Sequence, residues 1–224
     1  MSTENQSVCA VVVAAGSSRR MGGENKLLLP LCGKPVLAHT LTAFQMCGAV
    51  RDIVLVCREQ DMEVYRTLAA ENGITKLRTL TRGGDTRTES VLAGVSAASE
   101  ACALVAVHDG ARPLVPDEVI TQAVAEAAKT GAAAPVVPVK DSIKRIENGK
   151  IAADVPRDTL AAVQTPQVFR RDMLLHALLD AAANGRSFTD DCAAVEALGQ
   201  TVSATSGSYE NIKVTTPEDI AVAE

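Results

Sequence analysis

Val8-Cys9-Ala10-Val11-Val12-Val13-Ala14, running straight into Ala15-Gly16-Ser17-Ser18, decides the fold. Seven apolar residues in a row have the length of a strand and no polar alternation, so both faces must be covered. The small residues that follow turn the chain sharply as it leaves that strand. Two more short apolar runs, at 53–57 and 102–107, read as strands of the same kind. Helical periodicity fills the intervals. Residues 35–46 place Val36, Leu37, Thr40, Leu41 and Phe44 on one face, residues 61–70 form a second helix, and residues 86–99 turn Val91, Leu92 and Val95 inward. Residues 117–129 follow Pro116 and carry acidic residues in their first turn, as a helix start favours. Short buried strands alternating with helices specify an α/β fold, a mostly parallel sheet with helices on both faces. In such sheets ligands bind beyond the carboxyl ends of the strands, so the loops after Ala14 and Val107 are expected to share one site.

The alternation breaks between about residues 140 and 160. Residues 143–147 and 150–152 flank Asn148-Gly149, a pair suited to a type I′ turn, and predict a β-hairpin. A lone hairpin is marginally stable, so this arm is expected to project and pack on a partner. The α/β pattern resumes with helices at 171–183 and 189–198, a strand near 201–204, and a capped helix start at Thr216-Pro217. The 224 residues suit a single domain spanning 1–224, with residues 140–160 as its arm.

Composition excludes several functions. Twenty-two Lys and Arg face 27 Asp and Glu, a net charge of −5, which argues against a nucleic-acid backbone footprint. Five aromatic residues and no Trp offer no stacking platform for single strands. Six dispersed cysteines without a Cys-x-x-Cys pair read as buried thiols of a reduced protein. The first residues lack the basic and apolar regions of a signal peptide, and no apolar run approaches the roughly 20 residues of a membrane span. A cytoplasmic protein without membrane partners is expected. Three scattered histidines make neither a His metal site nor a Ser/His/Asp triad.

Three stretches carry the chemistry. In Ala14-Ala15-Gly16-Ser17-Ser18-Arg19-Arg20-Met21-Gly22-Gly23-Glu24-Asn25-Lys26, small residues let backbone amides approach an anion, and Arg20 and Lys26 add positive charge. The stretch is neither a Walker A loop nor a G-x-G-x-x-G fingerprint, and no carboxylate stands where a dinucleotide fold would want one, which disfavours an NAD-dependent oxidoreductase. Gly83-Gly84-Asp85-Thr86-Arg87-Thr88-Glu89-Ser90 is a glycine turn into a helix, whose free amides are expected to take anions or base edges. In His108-Asp109-Gly110-Ala111-Arg112-Pro113, a carboxylate at a strand end can attend Mg²⁺ while Arg112 holds phosphate. His108 reads as a packing residue and is assigned no role.

These stretches, with DSIKR at 141–145, TPQVF at 165–169 and NIKVTTPED at 211–219, resemble the 2-C-methyl-D-erythritol 4-phosphate cytidylyltransferase family of the non-mevalonate isoprenoid pathway. The motifs span nearly the whole chain in the family's order. The resemblance implies a Rossmann-like fold of the nucleotide-diphospho-sugar transferase type with a projecting β-arm, a homodimer, and Mg²⁺-dependent transfer of CMP from CTP to methylerythritol phosphate. It implies that Arg20 and Lys26 stabilise the transition state, and that Arg157, lent by the partner's arm, and Lys213 position the sugar phosphate. Ala14, Ala15, Gly16, Gly84, Asp85 and Ser90 match the cytidine pocket, and Asp109 and Arg112 the ribose, metal and phosphate region. Ser142, where the family usually has Thr, keeps the hydroxyl of a substrate contact, and Thr165 is carried over as another. The loop departs from the family in its Ser17-Ser18 tip and in a slightly shorter approach to Lys26. Two alternatives stay open: a ribitol-5-phosphate cytidylyltransferase of the same fold, and a nucleotide-binding regulatory module without catalysis.

Overall fold

The computed structural model describes residues 7–16 and 25–224. The chain runs through β1 (Val8–Ala14), the short pair β2 (Pro30–Leu31) and β3 (Lys34–Pro35), α1 (Val36–Met46), β4 (Val50–Cys57) and α2 (Met62–Glu71). Then come β5 (Leu77–Arg82), α3 (Arg87–Ala97), β6 (Leu104–Asp109), α4 (Asp117–Thr130) and β7 (Ala132–Pro138). The second half holds β8 (Ile143–Glu147), β9 (Lys150–Val155), β10 (Ala161–Val163), β11 (Gln167–Arg170), α5 (Arg171–Ala183), α6 (Asp191–Glu196), β12 (Ser203–Ser206) and α7 (Pro217–Ala223).

β1 lies between β4 and β6 and is parallel to both, with β5 parallel beyond β4. β11 enters antiparallel between β6 and β7. Ala133 pairs with both Val168 and Ser203, and Val136 with both Val163 and Ser206. A strand has one neighbour per edge, so β10 and β11 follow one another along one edge of β7 and β12 takes the other. The sheet is therefore mainly parallel with an antiparallel insertion.

The uninterrupted apolar character of β1 is explained by its two cores. Ala10, Val12 and Ala14 pack with Leu37, Leu41 and Phe44 of α1 and Tyr65 of α2. Cys9 and Val11 face the other way, toward Val91 and Val95 of α3 and Leu174 and Leu178 of α5. Gly94 lets α3 lie directly on the sheet, since a Cβ there would stand 2.4 Å from Val11 Cγ1 and 2.6 Å from Val56 Cγ2. Such a separation is far below van der Waals contact.

Several expectations meet small corrections. The helix expected at 189–198 is confined to Asp191–Glu196, because Asp190 is extended and its side chain accepts from the Ala193 amide as a cap. The strand near 201–204 sits at Ser203–Ser206. Five cysteines are buried, but Cys32 is exposed in the β2–β3 turn with φ of 45°. The β8–β9 hairpin turns at Asn148 and Gly149, with φ of 50° and 76°, as a type I′ turn requires. Its strands pair only with each other, leaving Ile146 and Ile151 58% and 71% exposed. Among the described residues no helix is long and apolar enough to cross a membrane.

Candidate active site

Parallel strands bring their carboxyl ends to one edge, and a cavity of about 670 Å³ opens there. Its lining includes Ala14, Ala15 and Gly16 after β1, Gly84, Asp85 and Ser90 around the start of α3, Asp109 at the end of β6, and Lys26 and Lys213. The loops after β1 and β6 thus share one site, as the sheet rule required. The glycine turn is pressed against the first loop at Gly83, where a Cβ would stand 2.6 Å from the Ala15 Cβ, and against α3 at Gly84, where one would stand 2.4 Å from the Glu89 Cβ. The amides expected to be open to a ligand are partly engaged. Glu89 accepts from the Asp85 and Thr86 amides at 2.7 and 3.0 Å and completes a capping box with Thr86. Ser90 donates its hydroxyl to the Thr86 carbonyl at 2.9 Å.

Asp109 is the electrostatic centre. Its Oδ2 accepts from Lys213 at 2.9 Å and from Arg112 at 3.4 Å, and Oδ1 faces the Arg87 Nε at 4.0 Å. Arg87 is itself clamped from behind by Asp191, 1% exposed at its side chain, whose two oxygens accept at 2.9 and 2.8 Å. Burial works against the Arg87 charge, but Asp191 and then Asp109 hold the guanidinium protonated. Four cations (Lys26, Arg87, Arg112, Lys213) converge with two carboxylates, a local positive excess in an acidic chain.

Backbone bonds between distant segments build this cluster. The Val214 amide donates to the Ala111 carbonyl at 2.8 Å, and Arg112 donates to the Asn211 carbonyl at 2.6 Å. Those ties seat residues 211–214 along the 109–112 turn and bring Lys213 to Asp109. Lys26 reaches the same place from the opposite end of the chain, donating to the Val214 carbonyl at 2.7 Å. The short 3₁₀ turn that carries it is capped by Asn25, whose side-chain Oδ1 accepts from the Leu27 amide and whose Nδ2 donates to the hydroxyl of buried Tyr65 at 2.9 Å.

Burial alone would raise the Asp109 carboxyl, yet Lys213 first, then Arg87 and Arg112, bring it from 3.8 down to about 2. The folded-state value lies below the unfolded one. The ionised carboxylate therefore adds stability that is fully present above about pH 4 and is lost as pH falls through about 2, on the order of 2 kcal/mol in all. Acid unfolding of the wild type and Asp109→Asn should show a stability gap that closes across that window. A gap independent of pH would contradict the assignment.

Other expected site residues fall elsewhere. Arg20, with Ser17 and Ser18, lies outside the described residues. Ser142 and Arg157 flank the hairpin, are exposed and do not line the cavity; Arg157 donates to its own chain's Lys140 carbonyl at 2.7 Å. Thr165 is buried, its hydroxyl set between the His108 ring and the Asp109 amide at 3.0 and 3.2 Å. Sequence reasoning missed the Arg87–Asp191 pair. A signal existed, because a cation in a helix's first turn opposes the macrodipole and needs a reason. Asp191 gave no such signal, since an acidic residue in a helix's first turn is ordinary.

The family model described as 2-C-methyl-D-erythritol 4-phosphate cytidylyltransferase matches residues 8–224. A protein of that name from Dehalococcoides mccartyi is 43% identical over 221 residues, covering 98% of this chain and 96% of the relative. Another from Bacillus licheniformis is 45% identical over 215 residues, covering 96% and 93%. Among solved structures, the 4-diphosphocytidyl-2C-methyl-D-erythritol synthase of Anaerococcus prevotii superposes with a TM-score of 0.88 at 28% identity, covering 98% and 95%. The Thermus thermophilus 2-C-methyl-D-erythritol 4-phosphate cytidylyltransferase gives 0.78 at 31% identity, with 96% of each chain covered.

Proposed function

Because the chain belongs to the 2-C-methyl-D-erythritol 4-phosphate cytidylyltransferase family, we propose that it works through the cationic cluster around Asp109, a divalent cation and an arm lent by a second copy. The enzyme transfers CMP from CTP to 2-C-methyl-D-erythritol 4-phosphate, giving 4-diphosphocytidyl-2-C-methyl-D-erythritol and pyrophosphate, in isoprenoid precursor biosynthesis. One observation carries the residue assignment: Lys26 and Lys213, far apart in sequence, meet through Val214 in the cavity beside Asp109.

The acceptor's phosphate oxygen is already anionic, so it attacks the α-phosphorus of CTP without a strong base. A new P–O bond forms as the bond to the bridging oxygen breaks, and pyrophosphate leaves with the electron pair. The barrier lies in bringing two anions together and in the charge that develops on the α-phosphoryl oxygens. Fixed cations answer both demands without reorganising during the reaction. In this reading Lys26 and Arg20 meet the charge on the phosphoryl group, Lys213 and an Arg157 lent by the partner's arm position the acceptor phosphate, and Asp109 and Arg112 serve the ribose, metal and phosphate region. The small residues 14–16 and the Gly84 turn receive the cytosine, with Asp85 and Ser90 at its edge.

The donor set suits Mg²⁺ held largely by nucleotide phosphates, which needs one or two protein carboxylates. Among the described residues no group of three or more potential ligands exists, and Asp109 offers Oδ1, which accepts no hydrogen bond from them. When bound, such a cation would neutralise phosphate charge as a Lewis acid. Buried thiols suit a reducing compartment, and we place the enzyme in the cytoplasm.

The arm is assigned to a homodimer. Exposed Ile146 and Ile151 give it an apolar face to cover, and Arg157 and Ser142 flank the hairpin away from their own chain's cavity. Closed two-fold symmetry would let two arms clasp and each present Arg157 to the neighbouring site. Mixing Arg157→Ala with Lys213→Ala under verified subunit exchange tests this. The heterodimer then holds one doubly defective site and one intact site, and activity should rise toward half that of a wild-type dimer. No recovery would show that the arm does not serve the neighbouring site. The same assay without divalent cation should show little turnover, and unchanged turnover would remove the metal.

A further inference from the structure

His108 reads in the sequence as a packing residue, and it is fully buried, with its ring 4.8 Å from Phe44 in an edge-on contact. A Leu or Phe would fill that space without burying polar nitrogens, which cost free energy unless bonded. Both nitrogens are bonded. The Arg112 carbonyl lies 3.2 Å from Nε2 and the Thr165 hydroxyl 3.0 Å from Nδ1. A carbonyl can only accept, so Nε2 carries a hydrogen, and in the neutral ring that full burial favours Nδ1 keeps a lone pair. The Thr165 hydroxyl therefore donates to Nδ1. Its own lone pair is left for the Asp109 amide, which donates at 3.2 Å.

The ring thus grips both ends of the 109–112 turn, Arg112 directly and Asp109 through Thr165. The other carbonyls of that turn are also claimed: Asp109 by the Arg112 amide, Gly110 by the Thr40 hydroxyl, and Ala111 by the Val214 amide. We propose that His108 is a positioning residue for cytidylyl transfer, a neutral Nε2–H imidazole that sets where the Asp109 carboxylate and the Arg112 guanidinium stand. It touches neither substrate nor cavity, and the inference rests on the reading of this site given above.

The test is a double-mutant cycle with a spectroscopic readout. His108→Phe keeps the packing and removes both bonds, Thr165→Val removes the relay, and His108→Gln keeps reach toward Arg112 while losing Thr165. His108→Phe should lower kcat by about 30-fold and Thr165→Val by about 10-fold, with KM for CTP within about twofold of wild type. The two share one link, so the double variant should remain near the His108→Phe value instead of falling by the product. Should His108→Phe fail to fold, Thr165→Val in the His108→Gln background should add little further loss. Multiplicative losses, or loss of melting temperature with kcat intact, would overturn the proposal. Nitrogen-15 shifts of the imidazole, assigned by their absence in His108→Gln, should show the Nε2–H tautomer. An Nδ1–H tautomer would overturn the proposal whatever the turnover, and this readout does not depend on which substrate the site takes.

Discussion

Lys26→Ala is expected to lower kcat by about 10²- to 10³-fold, the loss typical of removing one preorganised donor from developing charge. The fold should survive, because only the adjacent Leu27 of that short turn is buried in the core and Asn25 caps the turn independently of the lysine. The Lys26 ammonium donates to the Val214 carbonyl, one residue from Lys213, so its position is fixed before substrate arrives. A flexible surface lysine would have to be ordered during the reaction, and its removal would cost less. Arg20→Ala is expected to behave alike by its place in the same loop. Purified, folded Lys26→Ala with near wild-type turnover would remove the residue from the catalytic machinery.

Asp191→Asn is expected to give the largest loss of stability, about 3–5 kcal/mol, because it leaves the Arg87 guanidinium uncompensated. Arg87 spends two donors on the Asp191 carboxylate, and Asp109, the next anion, stands 4.0 Å from Nε. The asparagine keeps the volume, and with it the bond from its backbone amide to the Gln167 side chain, so the effect reads charge and not packing. At roughly 2–4 °C per kcal/mol for a chain of this size, the melting temperature should fall by about 6–20 °C. Replacing both Arg87 and Asp191 by Leu should recover much of that stability, since no charge is then left buried. It should not recover activity, because Asp109 loses a neighbouring cation. A change below about 1 kcal/mol in Asp191→Asn would show the pair to be as weak as a surface bridge.

The sequence pattern identified the middle of the sheet better than its edges, for physical reasons. β1 and the stretches 53–57 of β4 and 104–107 of β6 are covered on both faces and read as unbroken apolar runs. β5, on the sheet's edge, has only Leu77 and Leu80 among Arg78, Thr79, Thr81 and Arg82, without a period of two, and it resembles loop composition. β7 is Ala-Ala-Ala-Pro-Val-Val-Pro, where alanines favour helix and prolines break ladders, and only the fold's topology makes it a strand. β11 has four residues, too few for any period to show. The site divides in the same way. Lys26, Asp109 and Lys213 were reached through loop position and family resemblance, and the structure brings them together. Arg87, Asp191 and His108 act through partners as many as 104 residues distant in sequence, and no local pattern encodes such a pairing.

The most direct measurement is pyrophosphate release from CTP by the purified enzyme, with methylerythritol phosphate and ribitol 5-phosphate offered in parallel. The account predicts stoichiometric pyrophosphate and a cytidine diphosphate diester with methylerythritol phosphate, and at most slow turnover with ribitol 5-phosphate. Faster turnover of ribitol 5-phosphate, or nucleotide binding without any pyrophosphate, would contradict it.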